Sequence, residues 1–148
     1  MKTFGRLLLI FAFCGWISLS AHASTTRPLL SDEYANKLEI CAPYVENIFY
    51  KGRSTHGYFT IKSEEYIIGL RNGKCVTNSV IKEKSRNYKI ATITCQYNEE
   101  QYPKLSSTIK EAKLNATKEK HYRRLYNYYV KQRPDVCQTI DHMKEYDD

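Results

Sequence analysis

The stretch that decides the fold is "EYIIGLRNGKCVTNSVI", running from Glu65 to Ile81. Two runs rich in isoleucine, valine and threonine flank Asn72-Gly73. That dipeptide between strand-like runs is the strongest short-range signal for a two-residue β-hairpin. The next run, "NYKIATITCQY" from Asn87 to Tyr97, follows the polar turn "EKSRN" centred near Ser85, which predicts a second hairpin. Upstream, "YVENIFY" and "GYFTI" read as further strands, with "YIIGL" as a separate run after them. An antiparallel meander of four to five strands is therefore expected between Tyr44 and Tyr97.

The flanks read as helices. In "SDEYANKLEICAP", Ser31 suits an N-cap, Asp32 and Glu33 suit the first turn, and Pro43 stops the chain, which predicts a helix over residues 31–42. No glycine follows Gly73, and beyond Asn98 the apolar spacing turns helical. Leu105, Ile109, Ala112 and Ala116 form one stripe; Tyr122, Leu125, Tyr126 and Tyr129 form another. At about 100° per residue the second stripe is rotated by roughly 130° from the first. One straight helix cannot bury both, so a break is expected near "NATKEK", with a short final helix after Pro134. The expected class is α+β: an N-terminal helix, the meander, then two or three C-terminal helices packed on one sheet face.

The chain opens with the layout of a secretory signal. Lys2 and Arg6 precede a run of 13 mostly apolar residues (7–19), and Ala21-His22-Ala23 supplies small residues before a cut after Ala23. A bilayer span takes about 20 apolar residues. Cys14 follows the bulky Phe13, where a lipidated cysteine has a small neighbour, which argues against lipidation. The expected location is the periplasm or the cell exterior, as one domain over residues 24–148 with no transmembrane segment. Trp16 leaves with the signal, so the 13 tyrosines supply most of the aromatic surface.

Four cysteines remain, and an even set in an exported chain reads as two disulfides. Their separations of 34, 20 and 42 residues do not fit the close pairs of a zinc site. Cys75 and Cys95 are equidistant from Ser85, which predicts a bridge between adjacent strands and leaves Cys41–Cys137 by elimination.

Chemistry-bearing residues are sparse. There is no G-x-S-x-G, no H-E-x-x-H and no phosphate-binding glycine loop, and nothing calls for a cofactor. "HYRRLYNYYVKQRP" from His121 to Pro134 mixes four tyrosines with four basic side chains. The tyrosines at helical spacing read as a buried face, with Tyr128 at its edge; Arg123, Arg124, Asn127 and Lys131 lie opposite. Residues 104–133 hold nine basic and two acidic side chains, against twelve and fourteen in the rest of the mature chain. Concentrated charge of one sign is the footprint of an anionic partner: an acidic protein, lipid head groups or a polymer. Nucleic acid fits less well, because strand-binding proteins place aromatic and basic groups on one surface.

A second reading is a small hydrolase, ribonuclease-like or cell-wall-acting, using His56, His121 or His142 as acid and base. A third is a structural or assembly factor. Glu64 and Glu65 are adjacent, but alternate strand residues face opposite ways, so they read as turn or edge charges rather than an acid–base couple. Asn115 in "NAT" is a glycosylation acceptor only in a eukaryotic secretory pathway. Intact-mass measurement with thiol alkylation should find a mature chain beginning at Ser24 and no reactive thiol; an alkylated cysteine in the exported protein contradicts this reading.

Overall fold

The computed structural model of the chain describes residues 27–54 and 57–143. The expected signal with Cys14, the expected terminus at Ser24, and His56 lie outside the described residues. The elements run α1 (Asp32–Glu39), β1 (Tyr44–Ser54), β2 (Gly57–Arg71), β3 (Lys74–Glu83), β4 (Lys89–Tyr97), α2 (Gln101–Ala112), α3 (Ala116–Gln132) and β5 (Cys137–Asp141). All five strands form one antiparallel sheet in the order β1-β2-β3-β4-β5. The class is α+β, as the periodicities indicate.

Local chemistry explains the ends of α1. The Ser31 hydroxyl accepts the Tyr34 amide at 3.0 Å, and the Glu46 carboxylate on β1 accepts the Ser31 amide at 3.0 Å. At the other end Cys41 takes a left-handed conformation, φ 51°. The amides of Cys41 and Ala42 then reach back to the carbonyls of Leu38 and Lys37, at 3.0 and 2.8 Å. That pattern satisfies the last carbonyls of the helix and turns the chain into β1.

The first hairpin forms as expected. Asn72 and Gly73 both have positive φ, 51° and 75°, the geometry whose twist matches two antiparallel strands. "GYFTI" and "YIIGL" are not separate strands, however. They belong to the single 15-residue β2. The intervening "KSEE" continues the alternation, but Ser63 and Glu65 are the inward residues, so the apolar pattern lapses although the strand does not. Near its end, β2 bulges between Ile67 and Gly69, where Gly69 adopts φ 104° beside Pro43.

The second hairpin overturns the expected disulfides. Asn87 is left-handed in the turn (φ 55°), and the register slips beside it: Lys82 faces Lys89, but Ile81 faces Ala91. Cys75 therefore stands opposite Tyr97, and Cys95 opposite Thr77. Cys75 and Cys95 share a face but are diagonal neighbours, whose Cα atoms lie about 7–8 Å apart, too far to bridge. The bridges are Cys41–Cys75 and Cys95–Cys137, with Cα separations of 5.6 and 4.1 Å. The expected pairing of Cys75 with Cys95, and of Cys41 with Cys137, is corrected accordingly.

The segment after Pro134 is also a strand rather than a helix. A short terminal helix returns few internal bonds against the cost of nucleation. The open edge of β4 offers backbone partners instead. Gln96 N–H donates to the Val136 carbonyl at 2.7 Å, and Cys95 faces Cys137 in register.

The three helices cover one face of the sheet, with α2 against both α1 and α3. Tyr34, Ala35 and Leu38 of α1, Leu105 and Ile109 of α2, and Tyr122 and Tyr129 of α3 close over Ile67, Ile93 and Tyr97. Ser106 donates to the Ala35 carbonyl at 2.7 Å and ties α2 to α1. Non-reducing peptide mapping should recover Cys41 linked to Cys75 and Cys95 linked to Cys137; a Cys75–Cys95 peptide would mean that β3 and β4 pair two residues away from the register in which Cys75 faces Tyr97.

Candidate binding face on the last helix

Helix α3 begins where the break was expected. Asn115 is extended (φ −169°), and its side-chain oxygen accepts the Lys118 amide at 2.9 Å. The potential glycosylation acceptor is thus the N-cap of α3. Inward, Tyr122 and Tyr129 are buried, and Leu125, Tyr126 and Val130 pack partly against the core. Tyr129 meets Tyr97 edge-to-face at 5.5 Å between ring centres, and Tyr126 stacks on Tyr122 at 6.2 Å. Burial pushes the hydroxyls of Tyr34, Tyr97 and Tyr122 above the ordinary tyrosine range, so they stay protonated. Tyr128, at the edge of the stripe, is 42% exposed.

The outward face is narrower than the count of bases suggests. Of the nine between residues 104 and 133, five are paired: Lys110 with Glu39, Lys113 with Asp32, Lys118 with Glu111, Arg123 with Glu119 and Arg133 with Asp135. Much of the local excess is therefore spent on tying α2 to α1 and to the start of α3. Lys104, Lys120, Arg124 and Lys131 pair with no carboxylate among the described residues. Three of these, with Asn127, fall at i, i+4, i+7 and i+11 along α3, and all four positions are exposed.

Shallow depressions flank this ridge. One is lined by Ala116, Thr117, Lys120, His121 and Arg124; the other shares Lys120 and Arg124 and adds Glu119, Arg123 and Asn127. Like charges four residues apart on a helix disfavour it by about 0.2–0.5 kcal/mol, a repulsion that a bound anion relieves. Arg123 sits differently. It is only partly exposed, and its Nε and Nη2 donate to Glu119 while Nη2 also reaches the Arg27 carbonyl at 2.8 Å.

The histidines do not converge among the described residues. His121 is exposed on α3. His142 follows β5, with a ring nitrogen 3.0 Å from Thr92 Oγ1 and its amide donating to the Ile90 carbonyl at 2.9 Å. Thr92 alternates with the inward Ile93, so His142 lies on the sheet face away from the helices.

The adjacent carboxylates part as expected, but neither is a turn charge. Glu64, on the open face, accepts from Lys62 and Lys82, each at 2.8 Å, and from the Tyr66 hydroxyl at 3.2 Å. Glu65 points under the helices and is 2% exposed. It is held by Ser63, Ser79 and Arg27. Sequence reasoning missed this site. Its signal was three polar residues, Ser63, Glu65 and Ser79, at inward positions of two paired strands.

Arg27 also donates to the Tyr126 hydroxyl at 3.2 Å. Burial opposes its charge, but Tyr126 and Glu65 outweigh burial and hold the guanidinium pKa above the ordinary arginine value. No protein-family profile matches the chain, and neither a curated protein nor a solved structure matches it.

The hydrogen bonds from Lys62 and Lys82 lower the Glu64 carboxyl from 4.5 to about 2. A depressed folded-state value stabilises the fold above the unfolded value and ceases to do so as pH falls through the folded one. Between pH 4.5 and about 2, wild type should therefore lose more stability than Glu64→Gln in parallel denaturant titrations. Parallel pH profiles for the two proteins would remove Glu64 as the cause.

Proposed function

We propose that this is an exported binding protein that docks an anionic partner on the exposed ridge of α3. Lys120, Arg124 and Lys131 supply the charge, and Asn127 adds a neutral donor and acceptor between them. The observation that carries the reading is their alignment: three cations without carboxylate partners among the described residues share one face, while five nearby bases are paired. Over eleven residues of helix the ridge extends about 16 Å, long enough to meet several charges of an acidic protein surface, a head-group layer or an anionic polymer.

Two disulfides support an oxidising location outside the cytosol. Among the described residues, no helix is long and apolar enough to cross a membrane. Base stacking on nucleic acid fits poorly, because Tyr122 and Tyr129 are buried on the opposite side of α3.

Replacing Lys120, Arg124 and Lys131 together with Gln should abolish sedimentation with anionic vesicles and retention on polyglutamate. Wild-type binding should weaken steeply between low salt and about 0.15 M, where screening acts over about 8 Å. The triple variant should melt within about 1 kcal/mol of wild type, since exposed charges contribute little. Tyr129→Ala on the buried face should instead cost about 3–5 kcal/mol. Salt-insensitive binding, or a triple variant that binds like wild type, overturns the reading.

A further inference from the structure

Beneath α3, the helix-facing side of the sheet carries a carboxylate where an aliphatic side chain would pack. Ser63 donates to Oε1 of Glu65 and Ser79 to Oε2, so each oxygen is fixed by one hydroxyl and keeps capacity for another donor. On Oε1 that donor is Nη2 of Arg27. The other terminal nitrogen of Arg27 donates to the Tyr126 hydroxyl at 3.2 Å, and the guanidinium carbon lies 5.5 Å from the centre of the Tyr126 ring. Tyr34 and Tyr122 line the small internal cavity beside Glu65.

A carboxylate, an aromatic face and a hydroxyl acceptor suit the planar donor fork of a guanidinium better than the point charge of an ammonium. The site is also reachable. Arg27, Pro28, Tyr122, Arg123, Tyr126 and Asn127 line an open depression on its outer side, and the Arg27 side chain is 19% exposed.

Arg27 does not belong to the walls. It lies in the segment 27–30, which precedes the Ser31 cap and has no regular structure, a strap over the site. Leu30 anchors that strap in the core, whereas the Arg27 backbone is held by the bond from Arg123. The recognising groups come from β2, β3 and α3 and are complete without the strap.

We propose that the Glu65 pocket is a binding site for a guanidinium group on an aliphatic stem, and that Arg27 is the ligand the chain supplies to itself. When Arg27 is withdrawn, a guanidinium from another source meets the same carboxylate, hydroxyls and ring. This site lies under α3, meets the ridge only at Asn127 on its outer rim, and does not depend on the anionic-partner reading.

Arg27→Ala removes the stem and cation, and ethylguanidinium restores the missing atoms. The variant should melt below wild type. Ethylguanidinium should raise its melting temperature saturably, by about 5 °C at ten times the dissociation constant. Wild type, with the site filled, should not respond, nor should Arg27→Ala/Glu65→Gln, and ethylammonium should shift Arg27→Ala less. If Arg27→Ala is unfolded at room temperature, the same titration followed by circular dichroism should refold it. No response of Arg27→Ala, an equal response of the double variant or of wild type, or an equal effect of ethylammonium overturns the proposal and leaves Arg27 as a structural ion pair.

Discussion

A buried carboxylate constrains the arrangement of this protein more than any single apolar contact. Glu65 lies on a central strand, under the helices, at 2% exposure. A charge there is tolerated only when neutralised and fully hydrogen-bonded, and stripping one partner from such a pair typically costs about 3–5 kcal/mol. That requirement explains why Ser63 and Ser79 stand at inward positions that would otherwise be apolar. It also explains why the strap before α1 is drawn in toward α3. Tyr126 stays half-buried because its ring and hydroxyl both serve Arg27, and Arg123 closes over the strap backbone.

The disulfides secure the two places where the chain leaves and rejoins the sheet. Cys41–Cys75 fixes the end of α1 to β3, holding Cys41 in a left-handed conformation that a non-glycine residue adopts at a cost. Cys95–Cys137 fixes β5 to β4 after the excursion through α2 and α3. With separations of 34 and 42 residues, the chain-entropy model assigns each closure about 4 kcal/mol. Without its bridge, a five-residue edge strand would be a weak anchor for a sheet margin.

Helix α3 works on three fronts at once. Its tyrosines complete the core, its flank at Tyr126 and Arg123 closes the Glu65 pocket, and its outer ridge carries cations that pair with no carboxylate among the described residues. The division follows from helical periodicity, because residues four apart share a face while those two apart do not. The basic excess of the C-terminal half is therefore not one surface. Part of it bridges helices, part holds the strap, and the remainder pairs with no carboxylate among the described residues.

What the sequence by itself determined was set by neighbours a few residues away. Ser31 as a cap, the Asn72-Gly73 turn, the break between α2 and α3, and the inward tyrosines all follow from local backbone chemistry and side-chain period. The basic ridge was legible for the same reason, since Arg124, Asn127 and Lys131 share a face of any helix that buries Tyr122 and Tyr129. Tertiary structure alone decided the pairings between distant residues. β4 pairs with β3 two residues away from the register that symmetry about Ser85 implies, one residue of it from the slip beside Lys82, and that shift sets both disulfides. The vacant edge of β4, rather than any propensity in Cys137–Asp141, made the last segment a strand. Glu65 looked like surface charge because its partners Arg27 and Ser79 are remote in sequence; only the folded sheet and strap bring them within hydrogen-bonding reach, and only that reach lets a charge remain buried.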